Sequence, residues 1–377
     1  MLIENFKSGH YEKGYDYNYF VPAAINRNWS CKDSLLSSLL EKASIRLGEL
    51  NAYERLVPNI SLFIQLYVKK EAVISSKIEG TQTAMDEALL PEEEISSEKR
   101  DDWREVQNYS RAMNEAIARL NKLPLSSRLL KKIHGILLEG VRGKHKLPGK
   151  FRASQNWIGG ATLKDAAFIP PAHHLVNDLM NDLEQFIHNR DISTPDLIKT
   201  GIIHYQFETI HPFLDGNGRI GRLLIPLYMI EKNILTRPLL YMSEFFERDR
   251  SLYYENLTKV RNENSLLHWL KYFLIGIDES AKKASNVLNE ILKLKENTEK
   301  LIRKEAGRRA DSAMILLVEL FKYPVVRVND VKSICNLSKK SANNLVKLMT
   351  ETGILKEVSG KTRNKIFLFE NYVKLFM

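Results

Sequence analysis

The sequence predicts a mainly α-helical protein of two or three domains. Apolar residues recur at helical spacing over most of the 377 residues, and 44% of the chain is hydrophobic, enough for a sizeable core. Glycines and prolines cluster in 142–172, where helices should stop and a short β-hairpin is expected. Beyond residue 310, the pattern changes to short helices followed by two alternating stretches.

The helices are predicted in the order in which their apolar patterns appear. One helix spans about 60–80 and ends at Gly80; others start near Trp103 and Ser126. Residues 157–171 are expected to form the hairpin. Further helices are predicted at 174–188, 195–209, 221–231, 249–260 and 265–295.

The C-terminal pattern is typical of a winged helix. Helices are predicted at 313–321, 328–334 and 339–350, followed by strands at 354–358 and 365–369. The expected domains are an N-terminal helical region (1–100), a core (101–290), a charged helical linker (291–309) and the winged helix (310–377). Removal of the last domain is expected to leave the chemistry of the core intact.

Composition narrows the functional classes. The two cysteines, Cys31 and Cys335, have no metal-ligand spacing, and a reducing cytoplasm is the simplest location. No apolar run is long enough for a membrane span, and the N-terminus does not resemble a secretory signal. The net charge is +10, and residues 300–377, with 16 Lys+Arg and 7 Asp+Glu, supply +9 of it. An acidic partner is therefore expected at the C-terminal end.

One twelve-residue stretch, 211–222, combines the groups that phosphoryl-type transfer needs. Pro212 disfavours helical geometry at His211, so a helix should end there. The following Asp-Gly-Asn-Gly turn places free backbone N–H groups at the start of the next helix, where anions bind. A neutral imidazole can accept a proton from a hydroxyl, a carboxylate can hold Mg²⁺, and two arginines can bind phosphate oxygens.

This stretch matches His-Pro-Phe-x-(Asp/Glu)-Gly-Asn-Gly-Arg-x-x-Arg at every fixed position and so resembles the Fic family. The resemblance implies a Fic-type helical core that transfers AMP from ATP, with Mg²⁺, to a Ser, Thr or Tyr hydroxyl of a protein. It also implies the roles of individual residues: His211 as catalytic base, Asp215 as metal ligand, and Gly216, Asn217, Gly218, Arg219 and Arg222 as nucleotide-binding residues.

Two other segments resemble parts of the same family. Residues 249–256 resemble its adenine-binding side, which implies nucleotide contacts by Tyr254 and Asn256. Tyr253 is the alternative to Tyr254, and at least one of these two adjacent tyrosines is expected in the core. The hairpin resembles its flap, which aligns an extended target segment by main-chain pairing. Taken alone, an ordinary structural hairpin is the alternative. The implied target-binding residues are Thr162, Leu163, Lys164, Asp165, Ala166, Ala167, Phe168 and Ile169.

A shorter pattern lies at the end of the predicted 60–80 helix. Residues 75–80 match the family's inhibitory motif, (Ser/Thr)-x-x-x-Glu-(Gly/Asn), which implies that Glu79, with Ser75, inhibits the enzyme. The alternative is a solvated glutamate near a helix end. His204 is expected to be a structural histidine rather than part of the site.

Several functional classes remain open. An autoinhibited AMP transferase is favoured; a hydrolase that removes AMP, or a DNA-binding regulator that senses nucleotide, are the alternatives. The target protein is unspecified and can be the chain itself, and a homodimer is left open. Residues 339–347 are a candidate DNA-recognition helix, with Lys361, Arg363 and Lys365 on the wing; a protein-interaction module is an equal alternative.

Overall fold

The computed structural model describes residues 1–56, 60–120 and 122–377. Helices dominate this part of the chain and the strands are few and short, which confirms the mainly α prediction. Within these ranges, no helix combines the length and apolar composition required to cross a membrane.

The chain begins with a β-hairpin that the sequence did not predict. Strands β1 (Gly9–Lys13) and β2 (Asn18–Pro22) are antiparallel, with Gly9 opposite Pro22. Four of the five β1 residues are exposed, so the strand lacks the apolar alternation that identifies half-buried strands. Helix α1 (Ser34–Leu56) follows.

Helix α2 (Ser61–Ile78) is the predicted 60–80 helix, and it is enclosed on several sides. Twelve of its residues are buried, including charged Glu71. It packs against α4 (Arg100–Leu120), α9 (Ser243–Arg248) and α12 (Ala310–Lys322). The elements that follow α2 are α3 (Met85–Leu89), α4 (Arg100–Leu120) and α5 (Ser127–Leu137).

Two consecutive helices carry the 211–222 loop between them. Helix α7 is buried from Leu197 to Ile210, and it packs against α8. Helix α8 begins four residues before the predicted start because Gly216 caps it in a left-handed conformation (φ 75°). This group comprises α6 (Val176–His188), α7 (Asp196–Ile210), α8 (Asn217–Glu231), α9 (Ser243–Arg248) and α10 (Arg250–Glu263).

A 40-residue helix, α11 (Leu266–Glu305), connects the core to the C-terminal segment. Its first half packs into the core and contacts α1, α7 and α10. The charged stretch expected as a helical linker continues this helix without a break until Glu305. At about 1.5 Å per residue, α11 is about 60 Å long.

The C-terminal segment contains the three predicted helices and both predicted strands. A third strand, β3, joins the sheet, whose order is β3-β5-β4. Because β3 has three residues and the last helix five, neither gives a periodic signal in the sequence. The bounds are α12 (Ala310–Lys322), β3 (Val325–Arg327), α13 (Val328–Ile334), α14 (Lys339–Glu351), β4 (Lys356–Glu357), β5 (Ile366–Leu368) and α15 (Glu370–Lys374).

This segment packs directly on α2. The ring of Phe63 lies 5.2 Å from that of Phe321 on α12, and the Tyr67 ring lies 4.9 Å from Phe376. Glu94, in the connection between α3 and α4, pairs with Lys361 at 2.6 Å and with Arg327 at 3.3 Å. The C-terminal segment and the helix that ends at Glu79 therefore share one hydrophobic core.

Candidate active site

His211 ends α7 in a left-handed backbone conformation (φ 50°) that is unusual for a residue other than glycine. Two side chains hold its carbonyl oxygen in this conformation: Arg152 donates from Nε at 3.0 Å and Asn156 donates from Nδ2 at 3.2 Å. The sequence offered no signal for the role of Asn156. These contacts fix the backbone of His211 and therefore the position from which its imidazole extends.

The imidazole of His211 is in the neutral form that a general base requires. Burial lowers its pKa to about 4. Its Nδ1 lies 3.3 Å from the carbonyl oxygen of Glu208, which can only accept, so Nδ1 carries the proton. Nε2 therefore keeps a free lone pair for a substrate proton.

Glu208 is a second buried group beside His211 that the sequence did not reveal. Its carboxylate Oε2 lies 3.9 Å from Nδ1 of His211. Burial raises the pKa of this carboxyl to about 7. Its Oε1 lies against Gly221, where an added Cβ would be 2.0 Å away. The absence of a side chain at Gly221 therefore makes room for the Glu208 carboxyl group.

Asn217 closes the loop on itself. Its Oδ1 accepts the N–H of Phe213 at 2.8 Å, and its Nδ2 donates to the carbonyl of the same residue at 2.8 Å. Both polar atoms of its side chain are thus used inside the protein. A bound phosphate would meet the backbone N–H of Asn217 rather than its amide side chain.

His134 on α5 supports the other side of the loop. The N–H of Gly149 donates to its Nδ1 at 2.9 Å, so Nε2 carries the proton and donates to the Asp215 carbonyl at 3.0 Å. Its ring stacks on Phe213 at 3.8 Å between centroids. Burial lowers the pKa of this imidazole to about 4. From the sequence, His134 is expected only to lie on the helix that starts near Ser126, and no role in the site is predicted for it.

Asp215 is the one acidic side chain within the 211–222 loop, and 40% of it is exposed. Its Oδ1 accepts the N–H of Gly216 at 2.6 Å. In the described ranges no three His, Cys, Asp or Glu side chains cluster as a metal site. A single exposed carboxylate still fits Mg²⁺, which uses one or two carboxylates and completes its shell with waters and substrate phosphates.

The start of α8 is occupied by a carboxylate. An added Cβ on Gly218 would lie 2.2 Å from Oε1 of Glu79, so this oxygen lies directly against the first turn of the helix. Arg222 donates to the same oxygen from Nη2 at 2.7 Å. Burial raises the pKa of the Glu79 carboxyl, but the Arg222 guanidinium outweighs it and the net shift is downward. Glu79 is thus an anion where phosphate would bind.

Ser75 holds the same arginine. Its hydroxyl accepts from Nε of Arg222 at 2.8 Å and its carbonyl accepts from Nη2 at 2.8 Å. Nη1 of Arg222 is buried and has no partner in the described part of the chain. The structure therefore brings the predicted residues Ser75, Glu79 and Arg222 together.

Arg219 is tied to a residue that the sequence did not single out. Its Nη1 donates to Glu105 of α4 at 3.1 Å, and only 5% of its side chain is exposed. Glu105 also accepts from Arg142 at 3.0 Å and from Thr81 at 3.1 Å. This network ties α4 to the loop and to the residue pair that follows Glu79.

The segment predicted as a flap is mostly a turn. Its only ladder contact in the described structure is an antiparallel bridge between Ile158 and Phe168. Asp165 caps the turn by accepting from the N–H groups of Ala161 and Thr162 at 2.8 and 2.7 Å. The Ile169 carbonyl accepts the N–H of Phe20 in β2 at 3.0 Å. One hydrogen bond therefore already connects the N-terminal hairpin to Ile169, the last of the expected target-binding residues.

The residues expected near adenine differ in exposure. Tyr254 is half-buried, whereas Asn256 is buried and donates to the Leu252 carbonyl at 2.8 Å. Neighbouring Tyr253 is a core residue whose hydroxyl contacts His204 at 2.9 Å. His204 also contacts the Gly221 carbonyl at 2.9 Å, so it joins α7, α8 and α10 as a structural histidine.

These features define a class: a helical protein whose loop places a neutral histidine, an exposed carboxylate and an anion-binding helix start side by side. Residues 37–118 match the model of the Fic/DOC family N-terminal region, and residues 124–229 match the Fic/DOC family model. The chain belongs to the Fic/DOC family.

Similar proteins agree with this assignment. A probable protein adenylyltransferase of Aquifex aeolicus is 30% identical over 182 residues, which cover 46% of this chain and 51% of that protein. Protein adenylyltransferase Fic of Drosophila erecta is 30% identical over 125 residues, which cover 33% of this chain and 22% of that protein. The chain thus aligns with about half of the first relative's length and about a fifth of the second's.

Solved structures share the fold. A Fic family protein from Desulfovibrio desulfuricans G20 superposes with a TM-score of 0.56 at 17% identity, covering 91% of this chain and 98% of that one. A Fic domain containing signaling protein from Bacteroides thetaiotaomicron gives 0.52 at 17% identity, covering 68% of this chain and 97% of that one.

Proposed function

We propose that the chain is a protein adenylyltransferase that moves AMP from ATP to a Ser, Thr or Tyr hydroxyl and is held inactive by Glu79. The observation that carries the proposal is the contact between Glu79 and Arg222 at the start of α8. Arg222 is the last residue of a complete Fic motif, and the two relatives described above carry adenylyltransferase names.

In the proposed reaction, the target hydroxyl oxygen attacks the α-phosphorus of ATP. The bond from that phosphorus to the oxygen bridging the α- and β-phosphates breaks, and pyrophosphate leaves. The hydroxyl proton passes to Nε2 of His211, which its low pKa keeps unprotonated. Backbone N–H groups at residues 216–218 and the guanidinium of Arg222 hold the phosphates.

Asp215 would hold Mg²⁺, which supplies charge neutralisation for the phosphates when it is bound. Its exposed carboxylate is held by the Gly216 N–H from one side, so its remaining oxygen can take a ligand. The flap would align the target segment by main-chain pairing through residues 162–168, because the Ile169 carbonyl is already taken by Phe20.

Inhibition follows from competition for one arginine. While Glu79 binds Arg222 and covers Gly218, the γ-phosphate has neither its guanidinium nor the space beside the helix start. ATP that enters without these contacts need not present its α-phosphorus in line with the hydroxyl. Alignment of the reacting atoms is worth several powers of ten in rate, so this misplacement suffices.

The test compares labelled AMP transfer from ATP with Mg²⁺ for wild type, Glu79→Gly and Glu79→Gly/His211→Ala. Glu79→Gly should raise self-modification at least about tenfold, because in-line geometry is restored. The double variant should transfer AMP about 10²–10⁴-fold more slowly than Glu79→Gly while still binding ATP, because the base is gone. Mass spectrometry of the labelled band identifies the modified residue.

The matched control is Glu93→Gly, an exposed glutamate in the connection between α3 and α4, which should behave as wild type. A Glu79→Gly protein no faster than wild type would contradict autoinhibition. If wild type instead releases AMP from protein modified by Glu79→Gly, and the glycine variant does not, the proposed direction is wrong and Glu79 serves the hydrolase alternative.

We also propose that residues 310–377 form a winged-helix domain that binds DNA through α14. A groove of about 680 Å³ favours this, because cations line it from α14, β3 and the connection between β4 and β5. Phosphate contacts make such binding fall steeply with salt. The cations are Arg327, Lys339, Lys347, Arg363 and Lys365.

This second proposal predicts that duplex DNA binds at 50 mM salt and at least about tenfold more weakly at 200 mM, as expected for several phosphate contacts. Fluorescence anisotropy measures the affinity. Lys339→Ala/Lys347→Ala should weaken binding, whereas Lys293→Ala on α11, outside the groove, should not. Absence of DNA binding at 50 mM salt would favour the protein-interaction alternative.

A further inference from the structure

A large cavity lies between α2 and the C-terminal segment. Its volume is about 920 Å³, and its walls come from α2, α3, α4, α5 and the region of β3, with no lining residue from the 211–222 loop. This volume is near the upper end of the range for small-molecule sites, roughly 300–1,000 Å³.

Most of the wall is apolar. Leu66 on α2 and Val325 on β3 line it, and the indole of Trp103 on α4 contributes an aromatic surface. The other apolar lining residues include Leu89, Pro91, Ile136 and Pro324. Such a surface favours a ligand with an apolar or aromatic body.

One lining residue is a cation without a counter-charge. Lys69 on α2 donates to the amide oxygen of Gln107 at 2.5 Å and forms no salt bridge within the described ranges. Burial lowers the pKa of its ammonium group to about 8, so it stays mostly charged at neutral pH. Lys69 is half-buried, and a charge partly removed from water without a counter-charge is costly.

The other cations of the lining already have carboxylate partners. Arg111 pairs with Glu139, Lys322 with Glu319 and Arg327 with Glu94. Lys69 is therefore the position at which an anionic group from outside would gain most.

We propose that this cavity binds a small organic anion with an apolar body, whose negative group pairs with Lys69. The site is separate from the proposed AMP-transfer site and does not depend on it. An occupant would touch α2, α4 and β3 together, so binding also stabilises the packing of the C-terminal segment on α2.

The test uses two fluorescent probes with nearly the same apolar body. 8-Anilinonaphthalene-1-sulfonate carries an anionic group, and N-phenyl-1-naphthylamine does not. Titration of the full-length protein should give saturable, one-to-one binding of the sulfonate. Lys69→Met keeps the length of the side chain but removes its charge. It should weaken sulfonate binding at least about tenfold, as expected for loss of a charge-assisted contact, and change binding of the neutral probe less than about twofold.

Lys70→Met is the matched control, because Lys70 is the next residue of α2 and pairs instead with Glu244 at 3.1 Å. It should bind both probes like wild type. The proposal fails if the sulfonate does not bind saturably, if Lys69→Met binds it as tightly as wild type, if the Lys70 variant loses it equally, or if both probes weaken to the same extent.

Discussion

At the scale of single residues, the site depends on histidines that burial keeps neutral. His134 holds the loop only while its Nδ1 is unprotonated, because that nitrogen accepts the N–H of Gly149. In the proposed reaction, His211 accepts a proton at Nε2, which is free because Nδ1 faces the Glu208 carbonyl. Burial lowers the pKa of both to about 4, well below that of an exposed imidazole. Both are therefore ready for their roles at neutral pH.

The shift at His134 predicts a pH-dependent contribution to stability. In the unfolded chain this histidine binds a proton below about pH 6.5, whereas in the folded protein it resists protonation until about pH 4. Its stabilising effect is thus fully present above pH 6.5 and is lost as pH falls toward 4. The loss between pH 6.5 and 5 is on the order of 2 kcal/mol.

His134→Asn should therefore lower Tm most at pH 7, and the difference from wild type should shrink by pH 5. Thermal unfolding at pH 7, 6 and 5 measures it. His145→Asn, at an exposed position, should give no such trend. A Tm difference that stays constant across this range would show that proton binding at His134 is not coupled to folding.

At the scale of secondary-structure elements, α2 links the proposed inhibitory contact to the C-terminal segment. One end carries Glu79, and the other carries Phe63, which is buried against Phe321. From the sequence, truncation near Arg309 is expected to leave the chemistry intact, provided that the rest of the chain folds. The structure adds that truncation would expose the face of α2 that carries Phe63 and Tyr67.

This packing predicts a large effect of Phe321→Ala on the free energy of unfolding. The side chain is 1% exposed, and truncation of such a phenylalanine typically costs about 3–5 kcal/mol. Ile315→Ala, on the same helix but 51% exposed, should cost less than about 1 kcal/mol. Urea titration of the two variants makes the comparison; similar losses would mean that α12 does not anchor the segment on α2.

Sequence periodicity predicted most of the long helices because apolar residues recur along α4, α6, α7 and α11. It missed the hairpin of β1 and β2 and the three-residue strand β3, which give no clear alternating pattern, and it began α8 too late. The 211–222 loop was recognisable because its groups are contiguous. Glu105, His134 and Asn156 were not, because residues distant in sequence reach the loop only through the packing of α4, α5 and the flap region against it.

At the scale of the whole molecule, α11 leads from the core to the C-terminal segment, and α2 packs against that segment. The hydrophobic cluster is continuous from Ile3 to Phe376, and the Tyr67 hydroxyl donates to the Ala284 carbonyl of α11 at 3.0 Å. A domain attached only by a linker would unfold independently. Here the C-terminal segment buries its aromatic residues against elements of the core.

We therefore expect one cooperative thermal transition for the intact chain by differential scanning calorimetry, with equal calorimetric and van't Hoff enthalpies. Phe321→Ala should shift that transition as a whole rather than split it. Two separated transitions in the wild-type protein would contradict a shared core and would show that the C-terminal segment unfolds independently.

If Glu79 inhibits the enzyme as proposed, its contact with Gly218 also limits how regulation can be lost during evolution. Under the proposed function, a side chain at 218 would fill both the space of the Glu79 carboxylate and that of a phosphate, so such a change would remove control and activity together. The same holds for Arg222, which both states share. Under the proposed function, single changes that free the enzyme yet keep it working should therefore arise on α2 and at Glu79, not in the loop, and natural selection can alter the inhibitor without altering the catalyst.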